Sequence, residues 1–109
     1  MKLEDIHFHD SQIIQVVEYP DVDDLVLQVD YPVDWDNNIF ERRFIVFHDV
    51  LNYTVNEGPF SGAPTLLDVK NKGVVSGRQS IVLQTNAGTR SLEFSRVELT
   101  SENQGTTSG

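Results

Sequence analysis

The chain has 109 residues, 39% of them hydrophobic, no Cys and a formal net charge of −9, which is the size of one domain able to bury about 65% of the surface its unfolded chain exposes. The missing Cys excludes disulfides, thiolate metal sites and a Cys nucleophile, and suits a reducing cytoplasm. The negative charge disfavours nucleic acid and anionic membrane surfaces, because both demand a cationic footprint.

The expected organisation is one β domain over residues 1–99 and a polar, Gly-rich tail over 100–109 with nothing to bury. Residues 1–5 lack the basic-then-apolar pattern of a signal peptide and no apolar run approaches bilayer length, so the expected compartment is cytoplasmic. In chain order, Lys2–His9 reads as a short edge strand with Ile6 and Phe8 on one face and His7 and His9 on the other. Asp10-Ser11 breaks it. Gln12–Tyr19 is apolar on both faces, the pattern of a strand in a sheet interior. After the turn at Pro20–Asp23, Leu25, Leu27, Val29 and Tyr31 alternate with polar residues, completing a hairpin. Residues 32–38 read as a loop. Phe40–Asp49 is the strongest strand signal and reads as central, and Leu51–Glu57 follows it.

Residues 58–64 contain two Gly and two Pro and form a loop. Around 64–72 the pattern admits two readings, a short helix bracketed by Pro64 and Gly73 or a strand; the β company on both sides favours the strand. Residues 71–78 read as loop. Ser80–Thr85 and Arg90–Phe94 pair through Asn86-Ala87-Gly88, and a bulge at Ser95-Arg96 is expected to return Val97 and Leu99 to the core. Seven or eight antiparallel strands imply an all-β fold, a sandwich or a partly open barrel.

One pattern occurs twice. Ile6-His7-Phe8-His9-Asp10 and Ile45-Val46-Phe47-His48-Asp49 share Ile-x-Phe-His-Asp, and each is followed five residues later by Val-x-Glu-x-Pro. If the echo is structural, Phe8 and Phe47 are both buried. His7, His9 and His48 are all the histidines of the chain; gathered together they could form an open zinc site with Asp10 or Asp49. Adjacent strand residues point to opposite faces, so a His-Asp dipeptide does not chelate by itself, and turn caps and sheet-margin histidines account for the pattern better. The expectation is no metal and no cofactor. Asp34, Asp36 and Asn38 have the first spacings of a calcium loop, but Ile39 and Ile45 stand where its Gly and Glu belong. No Gly-x-Ser-x-Gly elbow and no phosphate-cradling loop is present.

Charge is the remaining signal. Residues 1–41 carry eleven Asp and Glu against Lys2 alone, whereas residues 42–109 carry six acids and seven bases. Glu18–Glu41 holds eight acids and no base. The expected contact surface is therefore Asp21, Asp23, Asp24, Asp34 and Asp36 around Trp35, an aromatic anchor in a charged rim facing a cationic protein partner. The Phe-His-Asp-Ser opening, the Arg-Arg-Phe strand and the closing Thr-Asn-Ala-Gly-Thr-Arg hairpin resemble small bacterial β proteins, some of which are similar to the immunity proteins of toxin systems. The resemblance implies a protein that occludes a basic toxin surface; it carries over no site residue. The alternatives are a homo-oligomer paired through a strand edge and an enzyme using metal or carboxylates. Purified protein dialysed against a weak chelator is expected to hold no stoichiometric zinc; zinc that stays bound, and is lost in a His7→Ala, His9→Ala, His48→Ala triple variant, overturns that expectation.

Overall fold

The structure, a computed structural model, describes residues 2–34 and 36–101. Among these residues a single 3₁₀ turn at Leu3–Asp5 precedes eight strands: β1 (Gln12–Tyr19), β2 (Asp24–Asp34), β3 (Ile39–His48), β4 (Leu51–Glu57), β5 (Leu66–Val75), β6 (Arg78–Thr85), β7 (Gly88–Phe94) and β8 (Arg96–Thr100). They form two four-stranded sheets, ordered β1-β2-β3-β8 and β4-β7-β6-β5, with every pairing antiparallel. The fold is an all-β sandwich.

Each half of the chain builds a three-stranded meander and then sends its fourth strand to the other sheet. β4 leaves β3 to pair with β7, and β8 leaves β7 to pair with β3. The two crossovers meet. Phe47 and Phe94, the last inward residues of β3 and β7, are buried edge-to-face with ring centroids 4.9 Å apart. Just beyond them the Ser95 amide donates to the His48 carbonyl at 3.0 Å. The Asp49 carboxylate accepts from the Ser95 hydroxyl and from Arg78 Nη2 at 2.8 Å. These two bonds, Ser95 first, hold the Asp49 carboxyl below its ordinary range. Away from the crossovers a short ladder ties the starts of β1 and β5: the Asp10 amide to the Leu66 carbonyl, Leu66 to Ser11, and Ile13 to Pro64, each 2.8 Å.

Between the sheets, β2 contributes Leu25, Leu27 and Val29, β3 Ile45 and Phe47, β6 Ile81 and Leu83, and β7 Leu92 and Phe94. These core residues alternate along their strands as the pleat requires, and on β2 and β3 the intervening Val26 and Val46 are buried as well, on the other face. Leu3, Ile6 and Phe8 join the same core, but Lys2–His9 is not an edge strand. Its inward residues fall at positions 3, 6 and 8, a spacing that a 3₁₀ turn followed by an extended segment supplies and a period-two strand does not. β1 proves to be an edge strand. A bulge between Ile13 and Gln15 resets its phase, so that Ile13 and Val16 meet the core while Ile14 is exposed. Two apolar faces there reflect a bulge.

The same device resolves residues 64–72 as strand, with no helix. β5 bulges between Leu66 and Asp68, placing its inward residues Leu66 and Val69 three apart, the spacing that imitated a helix. β5 also runs through 71–75, where the sequence suggested loop, and ends in a two-residue turn with positive φ at both Ser76 and Gly77, the geometry that matches strand twist. β2 continues past Pro32, which no longer faces β1, since that pairing begins at Gln12↔Asp30. Ser95 is a crossover and not a bulge within one sheet. Thr100 closes β8 and so belongs to the domain, and positions 102–109 lie outside the described residues.

Phe8 and Phe47 are both buried, and the Asp that closes each echoed segment has positive φ, +68° at Asp10 and +58° at Asp49. Asp tolerates that region better than most residues. The echo therefore marks two similar turns into a strand. Phe47→Leu and Phe94→Leu are each expected to cost about 1 kcal/mol, and the double variant less than their sum, because an edge-to-face pair contributes about 0.5–1.5 kcal/mol that is lost only once. Urea unfolding of the four proteins measures it.

Candidate functional site: an acidic cleft beside the first hairpin

The acids of Glu18–Glu41 do not form one surface. Asp21, Asp23 and Asp24 sit at one end of β2, and Asp34 and Asp36 at the other, about 30 Å away at about 3.3 Å per residue. Trp35 lies outside the described residues. The strand after the acidic block also brings cations that the linear sequence hid: β3 pairs with β2 so that Arg42 Nε reaches Asp30 at 3.0 Å, and Arg43 reaches Glu41 at 2.7 Å. Asp34 accepts from the backbone and side-chain amides of Asn37, bonds that hold its carboxyl below the ordinary range and complete a local turn. Asp24 is buried and meets His48 Nδ1 at 3.0 Å. It is a structural acid and not an open contact residue.

Among the described residues no Lys, Arg or His lies within ion-pair distance of Glu18, Asp21 or Asp23. Glu18 is the register partner of Leu25, so its side chain turns toward the inner face at the free edge of β1. There it faces Tyr53 of β4, whose hydroxyl is pushed above its ordinary range first by burial, with a smaller push from Glu57 and Glu18. The turn is tied to β4 by the Val50 amide, which donates to the Asp23 carbonyl at 2.9 Å. Between turn and strand lies a cleft of about 340 Å³ that includes Glu18, Tyr19, Asp23, Leu51 and Tyr53 in its wall.

Behind Tyr53 stands a polar network that no local pattern marks, since its charged members are 33 residues apart. Arg90 on β7 forks onto Glu57 on β4, Nε to Oε2 at 2.7 Å and Nη2 to Oε1 at 2.8 Å, and its Nη1 donates to the Tyr53 hydroxyl at 3.2 Å. Both charged side chains are 12% exposed. The Thr85 hydroxyl donates to Glu57 and accepts from the Ala87 and Gly88 amides. Arg90 is the main reason the Glu57 carboxyl lies below its ordinary range. An ion pair this dry, with its remaining atoms satisfied, fixes β4 against β7, its only neighbour in the sheet.

The three histidines are not assembled. His7 and His9 lie on the N-terminal segment, where His7 packs edge-on against Tyr31, whereas His48 is level with Asp24, about 20 Å along β2 at the usual strand rise. His9 Nδ1 donates to the Leu67 carbonyl at 2.7 Å. Both N-terminal histidines border a larger cleft of about 500 Å³ between their segment and β5, floored by Leu3, Ile6 and Phe8. Among the described residues no group of three or more His, Asp or Glu side chains is arranged to hold a metal ion, and no helix is long and apolar enough to cross a membrane. Comparisons with protein-family models, curated proteins and solved structures found no match to the chain.

Glu57→Gln is expected to destabilise the domain by about 3 kcal/mol at neutral pH, because it leaves a nearly buried guanidinium against a neutral amide. A carboxyl whose folded-state value is depressed contributes stability that is full above its unfolded value, near about 4.3, and is lost as pH falls through the folded value. The gap between wild type and variant, followed by urea unfolding, should therefore be constant above that range and close in stronger acid.

Proposed function

We propose that this protein is a small binding module that engages a cationic protein partner through the acidic end of its first hairpin, at Glu18, Asp21 and Asp23 and the tyrosine-lined cleft beside them. The observation that supports it is the concentration of uncompensated charge. Among the described residues most other acids, Glu4 and Asp36 apart, meet an Arg, a His or an amide, whereas this turn gathers three carboxylates with no cation within ion-pair distance. Carboxylates without internal partners project a field that speeds encounter with a basic surface. Tyr19, Leu51 and Tyr53 add the apolar and aromatic contact that sets how long the complex lasts.

An immunity-type role, in which this end occludes a basic toxin in the cytoplasm, is the form of that reading which the sequence resemblance favours. The same field repels nucleic acid and anionic lipid. Asp34 and Asp36 lie at the far end of β2, and Asp34 is already engaged by the Asn37 amides. The reading therefore assigns contact to the turn end alone.

A pull-down at low salt is expected to recover a basic protein that high salt releases. Against it, a Glu18→Lys, Asp21→Lys variant should lose about tenfold in association rate and most of its salt dependence, whereas an Asp34→Lys, Asp36→Lys variant should match wild type. Unchanged association in the first variant, with its fold intact by circular dichroism, removes the turn end as the interface.

A further inference from the structure

His48 closes β3 on the outer face of the first sheet, where its ring stands between carboxylates of two different strands. Nδ1 is 3.0 Å from Asp24 Oδ1 on β2, and Nε2 is 2.9 Å from Glu98 Oε2 on β8. A carboxylate only accepts, so both contacts are hydrogen bonds only when both ring nitrogens carry protons. The neutral ring offers one N–H to two carboxylates. Burial decides which of them keeps it: the Asp24 side chain is 5% exposed and has nowhere else to turn, while Glu98 is 38% exposed and can exchange the ring for water.

We propose that Asp24–His48–Glu98 is a proton-operated clamp on β8, closed while His48 is doubly protonated and opening on the Glu98 side as the pH rises. β8 is the element that such a clamp can control. It has five residues, it is an edge strand, and its only neighbour in the sheet is β3, in register from Phe44↔Thr100 to His48↔Arg96.

The other charged and titratable groups around the ring are few. Arg96, the register partner of His48, is the nearby cation on β8, and it and the positive α-amino group of the chain both help hold the Glu98 carboxylate ionised. Tyr19 on β1 is the register partner of Asp24, Asp23 precedes Asp24 in the turn, and Asp49, next in the chain, is engaged with Arg78 and Ser95. Arg96 lies on the same strand as Glu98 and so cannot fasten β8 to β3 in place of the ring. The Glu98 carboxyl lies below its ordinary range, chiefly because of His48, so the carboxylate side of the clamp persists into weak acid. The inference is independent of the cationic-partner reading.

Hydrogen exchange of the 96–100 segment, corrected for intrinsic rates and followed over about pH 5 to 8 where imidazoles titrate, tests the clamp, with His48 protonation read by NMR in the same samples. Protection of β8 should fall about tenfold as the ring loses its proton, while protection of Ile81–Leu83 in the interior of the second sheet stays constant. Glu98→Gln supplies an amide that pairs with Nε2 in either protonation state, and should flatten the β8 response. Three results overturn the proposal: β8 protection that stays flat while His48 titrates, a ring that keeps one protonation state throughout, or an undiminished response in Glu98→Gln.

Discussion

The contact on which the rest of the molecule depends is the meeting of the two crossovers at Phe47 and Phe94. A sandwich in which each sheet takes its fourth strand from the other half of the chain holds only if both crossovers occur at the same place. The two rings, 4.9 Å apart at the end of the core, supply the apolar reason for that coincidence. The polar shell beyond them makes it specific: Asp49 collects Ser95 from one crossover and Arg78 from the start of β6, and Ser95 returns its amide to His48. Without that junction β4 and β8 would each be a short strand with no sheet to join. Isolated strands of that length do not persist in water.

From the junction follows the arrangement of charge. Because β4 is carried to the second sheet, it comes to lie beside the β1–β2 turn, with Val50 bonded to Asp23, and that proximity is what makes a cleft from residues otherwise thirty positions apart. Because β8 is carried to the first sheet, Glu98 reaches His48, and Asp24 reaches the same ring from the other side. The fold thus sorts the acids of the first hairpin. Asp24, Asp30 and Asp34 are answered by His48, Arg42 and Asn37, while Glu18, Asp21 and Asp23 gather at the turn end with no cation beside them among the described residues. Net charge alone could not make that distinction, and it is the distinction on which a functional reading turns.

Local side-chain patterns were enough for the class of fold and most of its strands: Leu25, Leu27 and Val29 alternate along β2, and the short apolar run Ile45-Val46-Phe47 marks a strand buried on both faces. They also determined the turns at Pro20 and at Asn86-Ala87-Gly88, where residue chemistry and backbone geometry are local matters. They mislead at the places where a bulge shifts the period by one. Ile13 with Val16 and Leu66 with Val69 are inward pairs three apart, and nothing in either segment alone separates that from a helix turn or a two-faced strand.

Which strand borders which, and which acids are paired, depends on register between distant segments and emerges only once the chain is folded. The Phe-His-Asp echo pointed from Phe47 back to Phe8, and both rings are indeed in the core, yet the partner that Phe47 needs is Phe94, in a segment with no such motif. His48 likewise sits next to Asp49 in the chain but bonds Asp24 and Glu98 in space, because alternation turns consecutive strand residues to opposite faces and delivers cross-strand neighbours instead. A side chain's partners in a sheet are set by pairing across the ladder, and pairing is a property of the whole chain.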